Sequence, residues 1–195
     1  MDKSTLRKVY LEKRKFLSEA IYDKRNDLLT QHLLNFFEDK SPTAIHLFLP
    51  ILKNKEPDLR HFLQHLLVHK PEVDVVSSVS NTRKAEMTHK LIKPSTKFIT
   101  NKWGIPEPKA AETYDISHID YVLVPMIIGS KSGHRIGYGK GYYDKFLAQC
   151  RPDVMTIGIN LGPLLDAFIY EEAHDIALDF IFTPFETHKI AKTIN

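Results

Sequence analysis

Tyr121-Val122-Leu123-Val124-Pro125 and, a short way on, Arg135-Ile136-Gly137-Tyr138-Gly139-Lys140-Gly141-Tyr142-Tyr143-Asp144 decide how the chain folds. The first is a short apolar run stopped by proline, the pattern of a strand buried on both faces. The second is a glycine-rich turn, after which a helix is expected from about Gly141 to Cys150. Strand, glycine-rich turn and helix in that order point to a mostly parallel α/β sheet. Ligands of such sheets gather at the carboxyl ends of the strands.

Outward from this unit the same alternation repeats. Thr43 to Leu49, stopped by Pro50, and Val73 to Val79 read as strands, as do Met155 to Ile159 and Phe180 to Thr183. Helical spacing recurs in Leu28, Leu29, Leu33, Phe36 and Phe37, in a helix that ends before Ser41-Pro42. It recurs between Asp58 and His69 through Leu59, Phe62, Leu63, Leu66 and Leu67. An N-terminal helix from about Thr5 to Leu17 carries Leu6, Val9, Phe16 and Leu17 on one stripe. Residues 81–112 mix charge, proline and short apolar stretches, predicting loops with two weak strands. The expected architecture is α/β, a three-layer α/β/α arrangement in one domain over residues 1–195.

Composition narrows the function. In 195 residues, 43% hydrophobic and 26% charged is a globular balance. The lone Cys150 has no partner for a disulfide, which fits a reducing compartment, and it lacks a neighbouring base that would make it a nucleophile. The N-terminus shows no apolar leader and no run approaches a membrane span, so a cytoplasmic protein without a membrane partner is expected. A net charge of +3 is small for a nucleic-acid binder, and no nucleic-acid-binding signature accompanies the basic N-terminal helix. His61, His65 and His69 recur on one helix, but off its apolar stripe, and are expected to face solvent rather than hold a metal.

The glycine-rich turn carries the chemistry. Gly137, Gly139 and Gly141 permit positive φ and strip side chains from alternate positions, so backbone N–H groups can converge on an anion. The helix behind them adds its own unpaired N–H groups. Arg135 and Lys140 bracket the turn with positive charge, and Asp144 stands one helical turn past Gly141, where a carboxylate can hold a nucleotide's magnesium. The spacing matches neither Walker A nor the dinucleotide fingerprint. Paired tyrosines, Tyr142 and Tyr143, suit a planar ligand beside the phosphates.

Residues 135–147 are very similar to the signature of the 5-formyltetrahydrofolate cyclo-ligases, also called methenyltetrahydrofolate synthetases. Other segments resemble that family in order along the chain. They are Lys3-Ser4-Thr5-Leu6-Arg7, Glu56-Pro57-Asp58, Trp103-Gly104-Ile105-Pro106-Glu107-Pro108, Asp120 through Pro125, and His174-Asp175 with Asp179. Departures exist: Gly129-Ser130 stands where the family commonly has Phe-Asp, a change expected to loosen the loop or alter folate handling. A serine stands near Val76 where the family often has proline.

The resemblance implies a Rossmann-like fold of the NagB/RpiA/CoA-transferase-like kind, and a monomer using ATP and Mg2+ to cyclise 5-formyltetrahydrofolate. The formyl oxygen would attack the γ-phosphate, and N10 would then close the ring as phosphate leaves. It implies ATP contacts from Lys3, Ser4, Thr5, Leu6, Arg7 and residues 135–143, with Arg135 and Lys140 catalytic. It assigns the folate to Glu56, Trp103, Tyr138 and Tyr142, and the metal to Asp144 and Asp179. The departures leave a second possibility, a relative that binds folate or nucleotide without turnover.

Overall fold

The computed structural model describes residues 2–81, 86–168 and 176–191. His174 and Asp175, part of the C-terminal resemblance, lie outside them. Helix α1 (Lys3–Lys15) starts at Asp2, whose carboxylate accepts the Thr5 N–H at 2.6 Å. Ser18 caps α2 (Glu19–Phe37) in the same way. Strand β1 (Ala44–His46) follows, then α3 (Arg60–His69) and β2 (Asp74–Asn81).

Residues 81–112 hold more strand than expected: β3 (Glu86–Ile92), β4 (Lys97–Thr100) and β5 (Pro106–Lys109). β3 is held by antiparallel pairing with β2 from Val75 to Asn81. β4 and β5 form a hairpin, with Gly104 in the left-handed region at its turn. The pairing partners, rather than local periodicity, make these strands. The rest of the chain supplies β6 (Tyr121–Pro125), the small hairpin β7 (Ile128–Gly129) and β8 (Arg135–Ile136), and α4 (Tyr142–Leu147). It ends with β9 (Met155–Ile159), β10 (Phe180–Phe182) and β11 (Thr187–Lys189).

The main sheet has 7 strands in the order β11-β10-β9-β6-β1-β2-β3. β10, β9, β6, β1 and β2 run parallel, with antiparallel strands at both edges. This is the expected α/β sheet. Alternation along each strand sends side chains to opposite faces. Ile45, Val75, Leu123 and Ile157 pack under α2 and α3, against Leu29, Leu33, Phe37, Phe62 and Leu66. Ala44, Val76, Val122, Val124 and Ile181 face the other layer, where α4 contributes Phe146 and Leu147. The chain enters the sheet at β1, adds β2 on one side through α3, and later adds β6 on the other. Strand order therefore reverses beside β1, where a crevice opens at the carboxyl ends.

One expected packing stripe differs. Phe16, placed with Leu6 and Val9 from sequence, caps the end of α1 and is 84% exposed. α1 instead seats through Leu6 and Tyr10, against Ile128, Ile136 and Phe168, and through the buried Arg14. Polar contacts to this arginine outweigh a phenylalanine that the helix end turns to solvent.

Candidate active site

A cleft of about 930 Å³ opens at the carboxyl ends of β1, β2 and β6. One wall is the glycine turn. The β7–β8 hairpin lifts the chain off β6 and releases residues 137–141, with Gly139 at φ +75 and Gly141 at φ +69. Gly141 caps α4, so the helix's first N–H groups point back toward the turn. Nothing lies within 4 Å of where a Cβ would stand on Gly137 or Gly141, so open space adjoins the backbone there.

Cations ring this bare backbone. Arg7 reaches over from α1, its Nε donating to the Gly137 carbonyl at 2.7 Å. Arg135 donates to Asp144 Oδ1 at 2.5 Å and to the Ile176 carbonyl at 2.8 Å. Lys3 and Lys140 line the same space, as do Tyr142 and Tyr143. Ser4 and Thr5 are exposed, and Leu6 packs under the small hairpin, so this segment brings Lys3 and Arg7 to the cleft and not the residues between them.

The opposite half is more apolar. Phe48, Leu49 and Ile105 line it, with Trp103 on the β4–β5 turn 41% exposed. Glu56 lies at the base, 3% exposed, with Oε2 accepting the Ile51 N–H at 2.7 Å. Burial raises its pKa, and the Tyr138 hydroxyl, the Ile51 N–H and Arg14 pull it partly back. The Tyr138 phenol is itself pushed far up, first by burial and then by the Glu56 charge. A carboxylate held this way seeks further N–H donors, and the cleft is the open side from which they can come.

Sequence reading missed Arg14. Arg14 is 5% exposed, and its guanidinium donates to the Asn54 carbonyl at 2.9 Å, the Met126 carbonyl at 3.1 Å and the Tyr138 hydroxyl at 2.7 Å. It ties α1 to the loop after β1, the loop after β6 and the glycine turn together. The available signal was spacing: Lys3, Arg7 and Arg14 share one helix face, among too many other basic residues to stand out.

Asp179 is not brought to the cleft. It directly precedes β10, at the amino ends of the parallel strands, and its carboxylate accepts from the Thr156 N–H at 2.8 Å and hydroxyl at 2.7 Å. Asp144 lines the cleft and Asp179 does not, although Arg135 links Asp144 to the Ile176 carbonyl, three residues before Asp179. Among the described residues, no group of three or more metal-ligating side chains gathers anywhere. Of the three helical histidines, His61 and His69 are exposed as expected, whereas His65 is half-buried with its ring 4.8 Å from that of His69.

The departure at Gly129-Ser130 does not leave a loose loop. Ser130 is fully buried, its N–H donates to the His134 carbonyl at 2.9 Å, and its hydroxyl pairs with Ser132 at 2.7 Å. A Cβ on Gly129 would stand 2.8 Å from Met126 Sδ, so a larger residue has no room there. Neither residue lines the cleft.

The family model for 5-formyltetrahydrofolate cyclo-ligases matches residues 1–184. The chain belongs to that family. Among similar cyclo-ligases, that of Mycoplasma pneumoniae is 29% identical over 182 residues, covering 93% of this chain and 98% of its own. That of Mycoplasma genitalium is 30% identical over 161 residues, covering 82% and 84%. The solved structure of a 5,10-methenyltetrahydrofolate synthetase from Mycoplasma pneumoniae superposes with a TM-score of 0.73 at 26% identity, over 94% of this chain and 99% of that one. The Aquifex aeolicus synthetase, at 24% identity and a TM-score of 0.77 over 100% of this chain and 96% of that one, shares the fold. The family resemblance read from the glycine-rich signature is thus borne out across the cyclo-ligase chain.

Proposed function

We propose that this cyclo-ligase holds ATP along the glycine turn and 5-formyltetrahydrofolate in the apolar half of the same cleft, closing the folate to 5,10-methenyltetrahydrofolate with release of ADP and phosphate. One observation carries the reading. A bare left-handed backbone ringed by Lys3, Arg7, Arg135 and Lys140 adjoins a pocket whose base is the buried Glu56. The first half suits a triphosphate, the second a flat heterocycle with an N–H-rich edge.

The roles follow from charge and position. Arg7 and Lys3 hold the polyphosphate from the α1 side, while Arg135, Lys140 and the turn's N–H groups surround the phosphoryl group that moves. Glu56 accepts from the pterin's amino edge, and Tyr138, Tyr142 and Trp103 offer aromatic surfaces beside it. The formyl oxygen attacks the γ-phosphate, and N10 then attacks the activated carbon as phosphate departs. Holding both substrates in line can supply about 7–11 kcal/mol of the barrier. The protein itself forms no covalent bond in this scheme.

Magnesium fits this donor set as a companion of the nucleotide. Asp144 is the carboxylate at hand, its side chain 41% exposed beside Arg135, and phosphate oxygens and water would complete the shell. The metal would neutralise charge on the transferring phosphoryl group. The reading takes the protein as a cytoplasmic monomer whose partners are these small molecules, with neither nucleic acid nor membrane involved.

The test is direct. Purified protein with 5-formyltetrahydrofolate, ATP and magnesium should develop the near-ultraviolet absorbance of the methenyl product, with ADP formed in step. Tight binding of both substrates without that absorbance would instead establish a non-catalytic relative.

A further inference from the structure

The cleft wall formed by β2 carries a hydrogen-bonded chain that the roles above leave unused. Ser78 lines the cleft, opposite His89 in the β2–β3 pairing. Its hydroxyl lies 2.7 Å from His46 Nε2 and 3.2 Å from His89 Nδ1. Both imidazoles are buried, His46 fully and His89 to 8% exposure, and Phe146 of α4 packs on them with ring centroids 4.8 and 4.0 Å away. The serine satisfies one nitrogen of each buried ring and itself reaches ligand space, so the cost of burial falls on the unpaired His46 Nδ1.

The direction of the chain can be assigned. His46 Nδ1 is buried with no hydrogen-bond partner among the described residues. An orphaned buried N–H is rarer than an under-satisfied acceptor, so Nδ1 is the bare nitrogen and Nε2 carries the proton. His46 Nε2–H then donates to Ser78 Oγ, which leaves the serine proton to donate to His89 Nδ1. The remaining lone pair on Ser78 Oγ is free to accept from an N–H in the cleft. Burial keeps both imidazoles neutral and only weakly basic, lowering His89 to about 4 and His46 well below its ordinary value, with the neighbouring His89 a second cause for His46.

We propose that Ser78 and His89, oriented by His46, form the proton acceptor for ring closure, taking the N10 proton as the C–N bond forms. This rests on the cyclo-ligase reading. The N10 lone pair makes the bond to the phosphorylated formyl carbon, and the N10 proton passes to Ser78 Oγ as the serine's own proton moves to His89 Nδ1. The C–O bond then breaks with its electron pair leaving on phosphate. A weak base is sufficient here: N10 is an aryl amine, and its protonated adduct is far more acidic than an alkylammonium. The proton then leaves His89 readily, because its site disfavours the cation.

The experiment compares Ser78→Ala and Ser78→Thr with the unsubstituted protein, using ATP labelled with oxygen-18 at the β,γ-bridge. In Ser78→Ala, kcat should fall by about 100-fold while both KM values hold. Bridge-to-nonbridge scrambling per turnover should rise, because phosphoryl transfer still runs back and forth while ring closure waits. Ser78→Thr, which keeps the hydroxyl, should restore turnover. Unchanged kcat in Ser78→Ala, or a fall with no rise in scrambling per turnover, overturns the relay and leaves the cyclo-ligase reading standing. Absence of methenyl product from the unsubstituted protein overturns both.

Discussion

The Arg7 guanidinium lies against the backbone of Gly139, so close that a Cβ at that position would stand 3.0 Å from Nη2. The glycine's φ of +75 and the arginine's reach over the turn are therefore one arrangement. Arg7 of helix α1 can approach the turn this closely because the turn offers no side chain to keep it away.

Gly139→Ala should weaken ATP binding by about tenfold, since left-handed strain of about 1–2 kcal/mol adds to displacement of Arg7. Calorimetric titration with ATP checks it. Melting temperature should change little, because the strain sits in an exposed turn. An unaltered affinity would show that Arg7 does not grip nucleotide from this position.

Arg14→Ala should destabilise the protein by about 2–4 kcal/mol, because the buried Met126 carbonyl and the half-buried Asn54 carbonyl lose their donor. Urea unfolding measures this. Affinity for both substrates should drop as well, since Tyr138 loses the bond that orients it.

Glu56→Gln separates stability from function. The folded state holds the Glu56 proton more tightly than the unfolded chain, so this group favours folding at acid pH. That contribution is lost as pH rises through its raised value, and at neutral pH the buried carboxylate is a liability. The amide keeps an oxygen for the Ile51 N–H. The variant should therefore melt higher at pH 7, with the difference shrinking toward the ordinary carboxyl value of 4.5. Its KM for folate should rise by about tenfold, the loss expected for a charge-assisted hydrogen bond, with ATP affinity intact.

Asp144→Asn should lose magnesium-dependent turnover by about 100-fold or more while the fold survives, since the side chain is partly exposed. Asp179→Asn should cost stability, because its carboxylate accepts from both the N–H and the hydroxyl of Thr156, and a matching loss of magnesium-dependent turnover would place Asp179 with Asp144 at the metal. Full activity in Asp144→Asn would remove this residue from the metal's surroundings.

The sheet was legible because its parallel strands are buried on both faces and read as continuous apolar runs, Tyr121 to Pro125 above all. The glycine turn was legible because only a few residue types allow its backbone. β3, β4 and β5 were harder: residues such as Glu86 and Lys97 are strand because a partner lies alongside, which no local pattern records. Phe16 misled through hydrophobicity, and Arg14 hid among surface cations although burial gives it a different task. Asp179 was legible as a position in a motif, but its bonds to the Thr156 N–H and hydroxyl depend on the pairing of β9 with β10, which order along the chain does not record.

The docking of α1 through Arg14 also constrains how a nascent chain matures. The acceptors of that guanidinium, at Asn54, Met126 and Tyr138, are all synthesised later than the helix that seeks them. A helix made before all of these partners is thus among the last segments to settle, and must wait unattached until the glycine turn has emerged. A helix attached so late should also be an early one to release, so its amides should exchange with deuterium ahead of those in β6 and β9.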